Sequence, residues 1–247
     1  FAEQGSSLVL WDIDEAALAR AQHELQARGA TVDVDVVDVS SREAVYAAAK
    51  KTGAIDVLVN NAGIVSGTSL LDTPDERIEA TMGVNTMSLF WTTKAFLPGM
   101  IERGFGHLVT IASAAGLVGA RGLADYCASK FAAIGFDEAM RMELRHSCPE
   151  VRTTVVCPYY INTGMFDGVQ TRFPWLIPIL EPQEVADAVV EAVQENRPRV
   201  IMPPFVRSVP AFRILPQVVF DLAADFLGVN AAMKEFKGRA RPAGQAR

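Results

Sequence analysis

The chain has 247 residues and a formal net charge of -6, half of its residues are hydrophobic and 21% are charged. Such a composition suits one packed globular domain and argues against disorder over most of the chain. The acidic balance, and the lack of any Lys/Arg-rich stripe, exclude DNA and RNA as expected partners.

The cysteines bear on metal binding and compartment. Cys127, Cys148 and Cys157 are odd in number and lack the CxxC or Cys/His spacing of a metal site. We therefore expect free thiols in a reducing compartment, a cytoplasmic protein and no metal. No apolar run reaches the roughly 18 to 20 residues of a transmembrane helix, and the start of the chain does not resemble a signal peptide.

Short apolar or alternating runs predict strands at 7–11, 31–37, 55–59, 107–112, 151–156 and 199–202. Amphipathic segments between them predict helices at about 14–29, 41–51, 75–103, 124–146 and 183–195. Strands that alternate with helices indicate a mostly parallel sheet covered on both faces, which is a doubly wound α/β fold. We expect a single domain over 1–237 and a disordered tail over 238–247, where Ala, Gly and Arg dominate.

The motif YCASK places Tyr126 and Lys130 four residues apart on a predicted helix, so the two side chains share a face. A free phenol has a pKa of about 10, and a neighbouring ammonium favours the phenolate, which brings proton exchange into range. This spacing alone is a weak signal, because it occurs by chance in many helices.

Other polar residues follow predicted strands. GHLVTIASAAG places Ser113 thirteen residues before Tyr126, and NNAG follows the strand at 55–59. Ligands of open α/β sheets bind at the carboxyl ends of the strands. Asn85 lies inside a long predicted helix, where its short amide is a mediocre helix former and is more useful as a hydrogen-bonding group.

Together NNAG, Val84-Asn85, the serine of IAS, YCASK and CPYYINTGMF resemble the short-chain dehydrogenase/reductase superfamily from end to end. The resemblance implies a Rossmann-like oxidoreductase in which Tyr126 is the general acid/base and Lys130 lowers its pKa and holds the nicotinamide ribose. It also implies that Ser113 hydrogen-bonds the substrate oxygen and that Asn85 orders a proton-relay water. A hydride leaving an alcohol carbon requires a proton to leave its oxygen, so these roles are chemically consistent.

The cofactor is expected to be NAD, with NADP less favoured. Asp12, at the end of a strand in WDID, can accept the ribose hydroxyls and would repel a 2'-phosphate. The alternative is a helix cap, although Asp14 is better placed for it. Asp38 and Val39 resemble the pair that flanks adenine, although Asp38 can also be turn chemistry. By the same resemblance the remaining cofactor-binding residues are Asn61, Ala62, Gly63, Tyr126, Lys130, Pro158, Ile161 and Thr163.

In CPYYINTGMF, Tyr159 replaces the glycine that usually follows the proline in the family. This version resembles the branch with retinol and hydroxysteroid dehydrogenases. The apolar segment at 163–181 is a candidate substrate lid, so the resemblance implies an apolar substrate such as a retinoid, steroid or long-chain alcohol. Trp175 and its aliphatic neighbours can instead pack against the core or a partner subunit.

The segment from Phe205 to Leu227 mixes arginines with apolar residues. We expect it to cap the pocket or pack at a subunit interface rather than touch a membrane surface, which would make the protein peripheral to a membrane. The resemblance further implies a homodimer or homotetramer through the helices around 75–103 and 124–146.

The family motif TGxxxGxG, which joins the first strand to the first helix, is absent from the sequence, and FAEQGS resembles only the end of that helix. We expect the parent protein to carry about 20 to 35 further residues, since omission of a central strand leaves two unpaired edges. Two alternatives remain open: an NADPH-dependent carbonyl reductase, and a non-catalytic NAD-binding or oligomerisation module.

Overall fold

A computed structural model describes residues 1–233 and 235–238 of the chain. Residues 239–247 of the tail expected at 238–247 lie outside the described residues. Six strands occur where the sequence predicts them: β1 Leu8–Asp12, β2 Val32–Val36, β3 Val57–Asn60, β4 Gly106–Ile111, β5 Val151–Pro158 and β6 Arg199–Met202.

The helices also follow the predicted order. They are α1 Glu15–Ala27, α2 Arg42–Thr52, α3 Asp75–Met82, α4 Ser88–Arg103, α5 Ala124–Ser147, α6 Pro182–Gln194, α7 Val209–Phe212 and α8 Gln217–Phe226. The single helix expected at 75–103 is interrupted by a π-helical turn at Gly83–Met87. Turns of this type are rare and occur frequently at functional sites.

All strand pairs are parallel, which confirms the doubly wound α/β fold predicted from the sequence. The strands form two sheets, β1-β2 and β3-β4-β5-β6. Because parallel strands end at the same edge, Asn60 pairs in register with Thr110, and Ile111 with Val156. The loops that follow β3, β4 and β5 therefore leave the sheet side by side.

The core lies on both faces of the four-stranded sheet. Successive side chains of β4 point to opposite faces: Leu108 packs in a cluster with Phe96 of α4 and Leu144 of α5, whereas Val109 packs with Val189 of α6. Successive residues of a strand are expected to do this. Burial on both faces explains why the strands read as nearly continuous apolar runs.

Local capping explains where the helices begin. Asp14 accepts a hydrogen bond from Ala17 N at 2.9 Å, and Ser41 accepts one from Ala44 N at 3.2 Å. Glu181 and Glu184 form a capping box around Pro182, the first residue of α6. Each cap satisfies amide groups that the first helical turn leaves unpaired.

A large cleft separates the two sheets. Within the described residues, β1 pairs with β2 and β3 with β4, so each keeps one unpaired edge. Residues of both strands line the cleft, whose volume is about 2120 Å³. Trp11 of β1 reaches Phe96 of α4 with ring centroids 5.6 Å apart.

The C-terminal segment behaves differently along its length. Phe205, Val209 and Leu227 pack against the core, whereas Val218 and Leu222 of α8 are exposed by 70% and 64%. No residue of α8 is buried. α8 therefore presents much of its apolar surface to solvent, and its expected role in capping a pocket or packing at a subunit interface stays a prediction.

Candidate active site

Ser113 lies two residues after the end of β4 and opens a short 3-10 turn at Ala114–Gly116. Its hydroxyl accepts a hydrogen bond from Ala115 N at 3.1 Å and donates to Pro158 O at 3.4 Å. The turn lies so close to α5 that a Cβ on Gly116 would be 2.5 Å from Lys130 O. Glycine at this position therefore lets the turn carrying Ser113 contact the helix carrying Tyr126.

Tyr126 and Lys130 lie on the buried face of α5, as their spacing predicts. Lys130 Nζ is 5.7 Å from the centre of the Tyr126 ring and donates to Ile111 O at 2.8 Å. Both side chains are buried. Ile111 is the last residue of β4 and precedes Ser113 by two residues. The hydrogen bond to its carbonyl oxygen therefore holds the Lys130 ammonium close to Ser113.

Burial dominates the ionisation of this pair. It raises the pKa of Tyr126 to about 12, although a hydrogen bond from Ser113 acts to lower that pKa. Burial also lowers the pKa of Lys130 to about 8. Burial is thus the largest influence on the pKa of Tyr126, and the lowering by Lys130 that the resemblance implies stays a prediction.

Asn85 occupies the π-helical turn and is buried. Its Oδ1 accepts from Ile64 N at 2.8 Å, while its Nδ2 donates to Ile64 O at 2.9 Å and to Ser129 Oγ at 3.0 Å. Both amide hydrogens are thus donated to protein acceptors. The Asn85 side chain therefore links the segment that follows β3 to α5 by hydrogen bonds.

The residues of NNAG lie beside these hydrogen bonds. A Cβ on Gly63 would be 3.6 Å from both Asn85 Oδ1 and Lys130 Nζ, so the segment passes close to the lysine. Asn60, a residue that the sequence analysis did not select, accepts from Thr92 Oγ1 at 2.7 Å through its Oδ1. Its Nδ2 is buried and has no hydrogen-bond partner among the described residues.

The expected cofactor residues Asp12, Asp38, Val39, Asn61, Ala62 and Gly63 all line the cleft. Asp12 is the last residue of β1 and accepts a hydrogen bond from Asp14 N at 2.9 Å, and Asp14 is the cap of α1. Asp38 accepts hydrogen bonds from both Ser40 N and Ser40 Oγ through Oδ1. It therefore also stabilises a local turn, which was the alternative role considered for it in the sequence. The exposed acidic groups and the orphaned amide of Asn60 suit a polar dinucleotide in the cleft.

The residues after β5 form the other side of the site. Pro158 ends β5, Ile161 bridges to Leu180, and Thr163 N donates to Ile161 O at 2.8 Å. Phe166 packs against the Tyr126 ring with centroids 5.7 Å apart, and Tyr160 packs on Phe166 at 4.9 Å. An aromatic wall therefore lies on one side of the phenol.

The candidate lid at 163–181 divides between the two expected roles. Ile177 and Leu180 are buried, and Ile177 belongs to the main core. Trp175 is 80% exposed and its ring contacts Phe173. The lid is thus anchored by its later aliphatic residues, while its tryptophan faces outward.

Among the described residues no group of three or more His, Cys, Asp or Glu side chains is placed to hold a metal ion. Cys127, Cys148 and Cys157 are free thiols and are buried. No helix within residues 1–233 and 235–238 combines the length and apolar character needed to cross a lipid bilayer.

A serine that follows a parallel strand, with a tyrosine and a lysine on the adjacent helix and a polar cleft beside them, is typical of an oxidoreductase of the Rossmann-like class. The family model described as "short chain dehydrogenase" matches residues 1–172, and the chain belongs to that family.

Two curated relatives illustrate the branch. The chain is 44% identical over 245 residues to epidermal retinol dehydrogenase 2 of Homo sapiens, covering 96% of this chain and 79% of the relative. It is 42% identical over 223 residues to estradiol 17-beta-dehydrogenase 11 of Pongo abelii, covering 88% and 73%.

Solved structures of the family share the fold. A short-chain dehydrogenase/reductase from Burkholderia phymatum, in complex with NAD, superposes with a TM-score of 0.76 at 28% identity, covering 86% of each chain. A metagenomic short-chain oxidoreductase in complex with NADP gives a TM-score of 0.68 at 28% identity, covering 82% of this chain and 88% of that one. Similar folds therefore bind either dinucleotide.

Proposed function

We propose that this oxidoreductase interconverts an apolar alcohol, of retinoid, steroid or long-chain type, and its carbonyl compound, with NAD as the cofactor. The observation that carries the proposal is the convergence of Ser113, Tyr126 and Lys130 in a buried site beside the cleft. The relatives named as retinol and estradiol dehydrogenases support the same chemistry.

Tyr126 and Ser113 have different roles in the proposed proton transfer. In alcohol oxidation the substrate hydroxyl gives its proton to the Tyr126 oxygen, while Ser113 holds the substrate oxygen by a hydrogen bond. The hydrogen on the alcohol carbon would leave with the bonding electron pair as hydride, and the dinucleotide would supply the acceptor for it. Carbonyl reduction runs the same transfers in reverse, and Tyr126 then donates the proton.

We assign binding of the dinucleotide to residues that line the cleft and to residues at and after the end of β5. Asp12 would receive the ribose hydroxyls, Asp38 and Val39 would flank adenine, and Lys130 would hold the nicotinamide ribose. The segment Asn61–Gly63 lies between these groups, and Pro158, Ile161 and Thr163 would meet the carboxamide end. This arrangement agrees with their places around the cleft and at the end of β5.

The aromatic wall supports an apolar substrate. Phe166, Tyr160 and Tyr159 pack edge to face in sequence beside Tyr126. Burial raises the pKa of Tyr159 to about 12, so its phenol is uncharged at neutral pH. A surface of neutral rings next to the proton-transfer group favours a hydrophobic alcohol.

The test follows NADH absorbance with a panel of retinol, steroid and aliphatic alcohols, and compares the parent enzyme with Tyr126→Phe. Phenylalanine keeps the ring that packs on Phe166 and removes the proton-exchanging oxygen. We expect NADH formation with one class of apolar alcohol and a loss of about 100-fold or more in the variant. Tight NAD binding without turnover of any alcohol would instead favour a non-catalytic binding module.

Cofactor choice is tested separately with two neighbouring aspartates. Asp12→Asn removes the charge proposed to repel a 2'-phosphate, so we expect the preference for NAD over NADP to fall by about tenfold or more. Asp14→Ala, which removes only the cap of α1, serves as the control and is expected to keep the ratio. Faster turnover with NADPH than with NADH in the parent enzyme would indicate a carbonyl reductase.

A further inference from the structure

Asp125 is a buried acidic residue immediately before Tyr126, and the chemistry above does not use it. It is the second residue of α5 and is 6% exposed. A carboxylate in the first turn of a helix is stabilised by the helix dipole, which accounts for an acidic residue here. The dipole does not account for its burial, since such a group is equally stabilised while facing water.

The carboxylate binds two distant segments instead. Its Oδ2 accepts a hydrogen bond from Ser66 Oγ at 2.6 Å and lies 2.9 Å from Thr81 Oγ1. Thr81 Oγ1 is also 2.9 Å from Arg77 O, and one hydroxyl hydrogen cannot fully serve both acceptors. The short, charge-assisted bond from Ser66 is therefore the principal one.

Ser66 ends a segment that is held at three successive residues. Ile64 is bonded at both its N and its O by Asn85, and Val65 packs in the cluster that contains Tyr126. Ser66 completes the series through Asp125. The segment continues directly from Gly63, whose backbone runs beside Lys130.

We propose that Asp125 is a positioning residue: through Ser66 it holds the segment 60–66, which borders the cleft, in register with the first turn of the helix that presents Tyr126. This inference rests on the proposed function, because its kinetic consequence requires Tyr126 to exchange the proton. Asp125 touches neither substrate nor cofactor in this scheme. It sets the place of the cleft wall relative to the phenol, and a displacement of about 1 Å can cost about 100-fold in rate.

The test uses hydrogen exchange and kinetics on the full chain, with Asp125→Ala, Asp125→Asn, Ser66→Ala and the control Asp75→Ala. Asparagine keeps an oxygen that can accept from Ser66, whereas alanine keeps none. Asp75 is an exposed carboxylate in the first turn of α3, so its loss reports only the helix-dipole effect.

We expect amide exchange in peptides covering 60–69 to become about tenfold faster in Asp125→Ala and Ser66→Ala, and to stay near the parent rate in Asp125→Asn and Asp75→Ala. The double variant with both alanines should lose no more protection than Asp125→Ala alone, because the two side chains act through one bond. Unchanged exchange at 60–69, or an equal rise across the whole molecule, overturns the proposal.

The kinetic readout separates positioning from general loss of structure. We expect kcat to fall about 10- to 100-fold in Asp125→Ala and to stay within about threefold in Asp125→Asn, with the pH dependence of kcat unchanged in Asp125→Asn. A fall in Asp125→Asn equal to that in Asp125→Ala would instead assign the effect to the charge and overturn a positioning role. If no variant or parent turns over any alcohol, the proposed function fails, while the exchange pattern still decides whether Asp125 holds the segment.

Discussion

Tyr126 is subject to two opposing influences, burial that favours the neutral phenol and a hydrogen bond from Ser113 that favours the phenolate. Burial prevails and raises the pKa of Tyr126 to about 12, so the phenol carries its proton at neutral pH. A protonated phenol is ready to act as an acid, which suits carbonyl reduction. The same residue acts as a base only when the proton has left.

The two directions of the reaction should therefore depend on pH differently. We expect alcohol oxidation to accelerate as the pH rises from about 6 to about 8, and carbonyl reduction to change little over that range. Above about pH 8 the oxidation rate should level off, since burial lowers the pKa of Lys130 to about 8 and its charge is then lost. Initial rates in both directions measure this, and oxidation that slows between pH 6 and 8 would contradict it.

His107 provides a second residue with a shifted ionisation, away from the site. It is buried, and its Nε2 lies 2.7 Å from Thr154 Oγ1. Thr154 donates to Arg197 O at 2.7 Å, so its hydroxyl accepts from a neutral His107 that carries its hydrogen on Nε2. Burial, helped by the charge of Arg152, lowers the pKa of His107 to about 4.

The lowered pKa predicts a loss of stability in acid. The unfolded histidine takes up a proton near pH 6.5 and the folded one only near pH 4, so stability is full above about 6.5 and declines as the pH falls towards 4. The loss is about 3 kcal/mol at most. In urea melts from pH 7.5 to 4, His107→Gln should show a smaller decline than the parent, and parallel curves would contradict the prediction.

Asp137 opposes His107 over the same range, so variants must be compared with the parent curve. Burial raises the pKa of Asp137 to about 7, and its partner Thr153 Oγ1 lies 3.4 Å away. The folded state here binds a proton more readily than the unfolded one, so this contribution is full below about pH 4 and is lost as the pH rises through 7. The difference in unfolding free energy between Asp137→Asn and the parent should shift in favour of the variant as the pH rises from 5 to 8. The same melts measure this difference.

The turn at Ala114–Gly116 shows what one element must satisfy for the site to form. A Cβ on Gly116 would meet both Lys130 O at 2.5 Å and Ile134 Cδ1 at 2.7 Å. The backbone of α5 cannot move aside without displacing Tyr126 and Lys130. Gly119, three residues later, has open space around it.

Gly116→Ala is therefore expected to lower stability by about 1 to 3 kcal/mol and to reduce kcat, because the turn must retreat from α5. Gly119→Ala is the matched control and should change neither quantity appreciably. Thermal melts and kinetics of the pair provide the measurement. Equal behaviour of the two variants would show that the turn tolerates the added carbon.

Elements with a clear hydrophobic period were predictable, whereas interruptions and buried polar contacts were not. The six strands and the helices α1, α2, α5 and α6 lie where the sequence patterns predict them, and α3 and α4 together occupy the single helix predicted at 75–103. The π-helical turn at Gly83–Met87 was missed, because an extra residue in one turn leaves the apolar period nearly unchanged; the presence of Asn85 within a helix was its one signal. The partners of Asp125 and His107 were also unpredictable, since they lie 44 to 59 residues away and 47 residues away, respectively.

The site was predictable to a similar degree. Motif resemblance brought together Ser113, Tyr126 and Lys130, and the structure places them in one buried region. Their ionisation was not predictable, because the pKa of Tyr126 depends on how completely the surrounding residues exclude water. Asn60 was overlooked beside Asn61 because the motif alone does not show which of two adjacent amides is left without a partner.

Within the 247-residue chain the described strands divide into two sheets. β1 and β3 face one another across the cleft, each with an unpaired edge within the described residues. Side-chain packing, such as that of Trp11 on Phe96, joins the β1-β2 sheet to the rest. Backbone groups without partners and a wide cleft weaken the cooperativity of folding.

For the 247-residue chain we expect unfolding in urea to occur in two stages. In a Trp91→Phe, Trp175→Phe background, fluorescence of Trp11 should change at a lower urea concentration than the far-ultraviolet circular dichroism, because the β1-β2 sheet detaches first. One cooperative transition seen by both probes, shifted to higher urea by NAD, would contradict this.

The bond from Lys130 to Ile111 has a consequence for how such an enzyme diversifies. It links α5 to the end of β4, so Ser113 and Tyr126 belong to one rigid block, whereas Trp175 and the outer part of the lid lie on a separate, outward-facing segment. Under the proposed function, sequence change in the candidate lid would alter which alcohol is accepted and would leave the proton-transfer geometry intact. In this architecture the substrate range would evolve independently of the residues that transfer the proton.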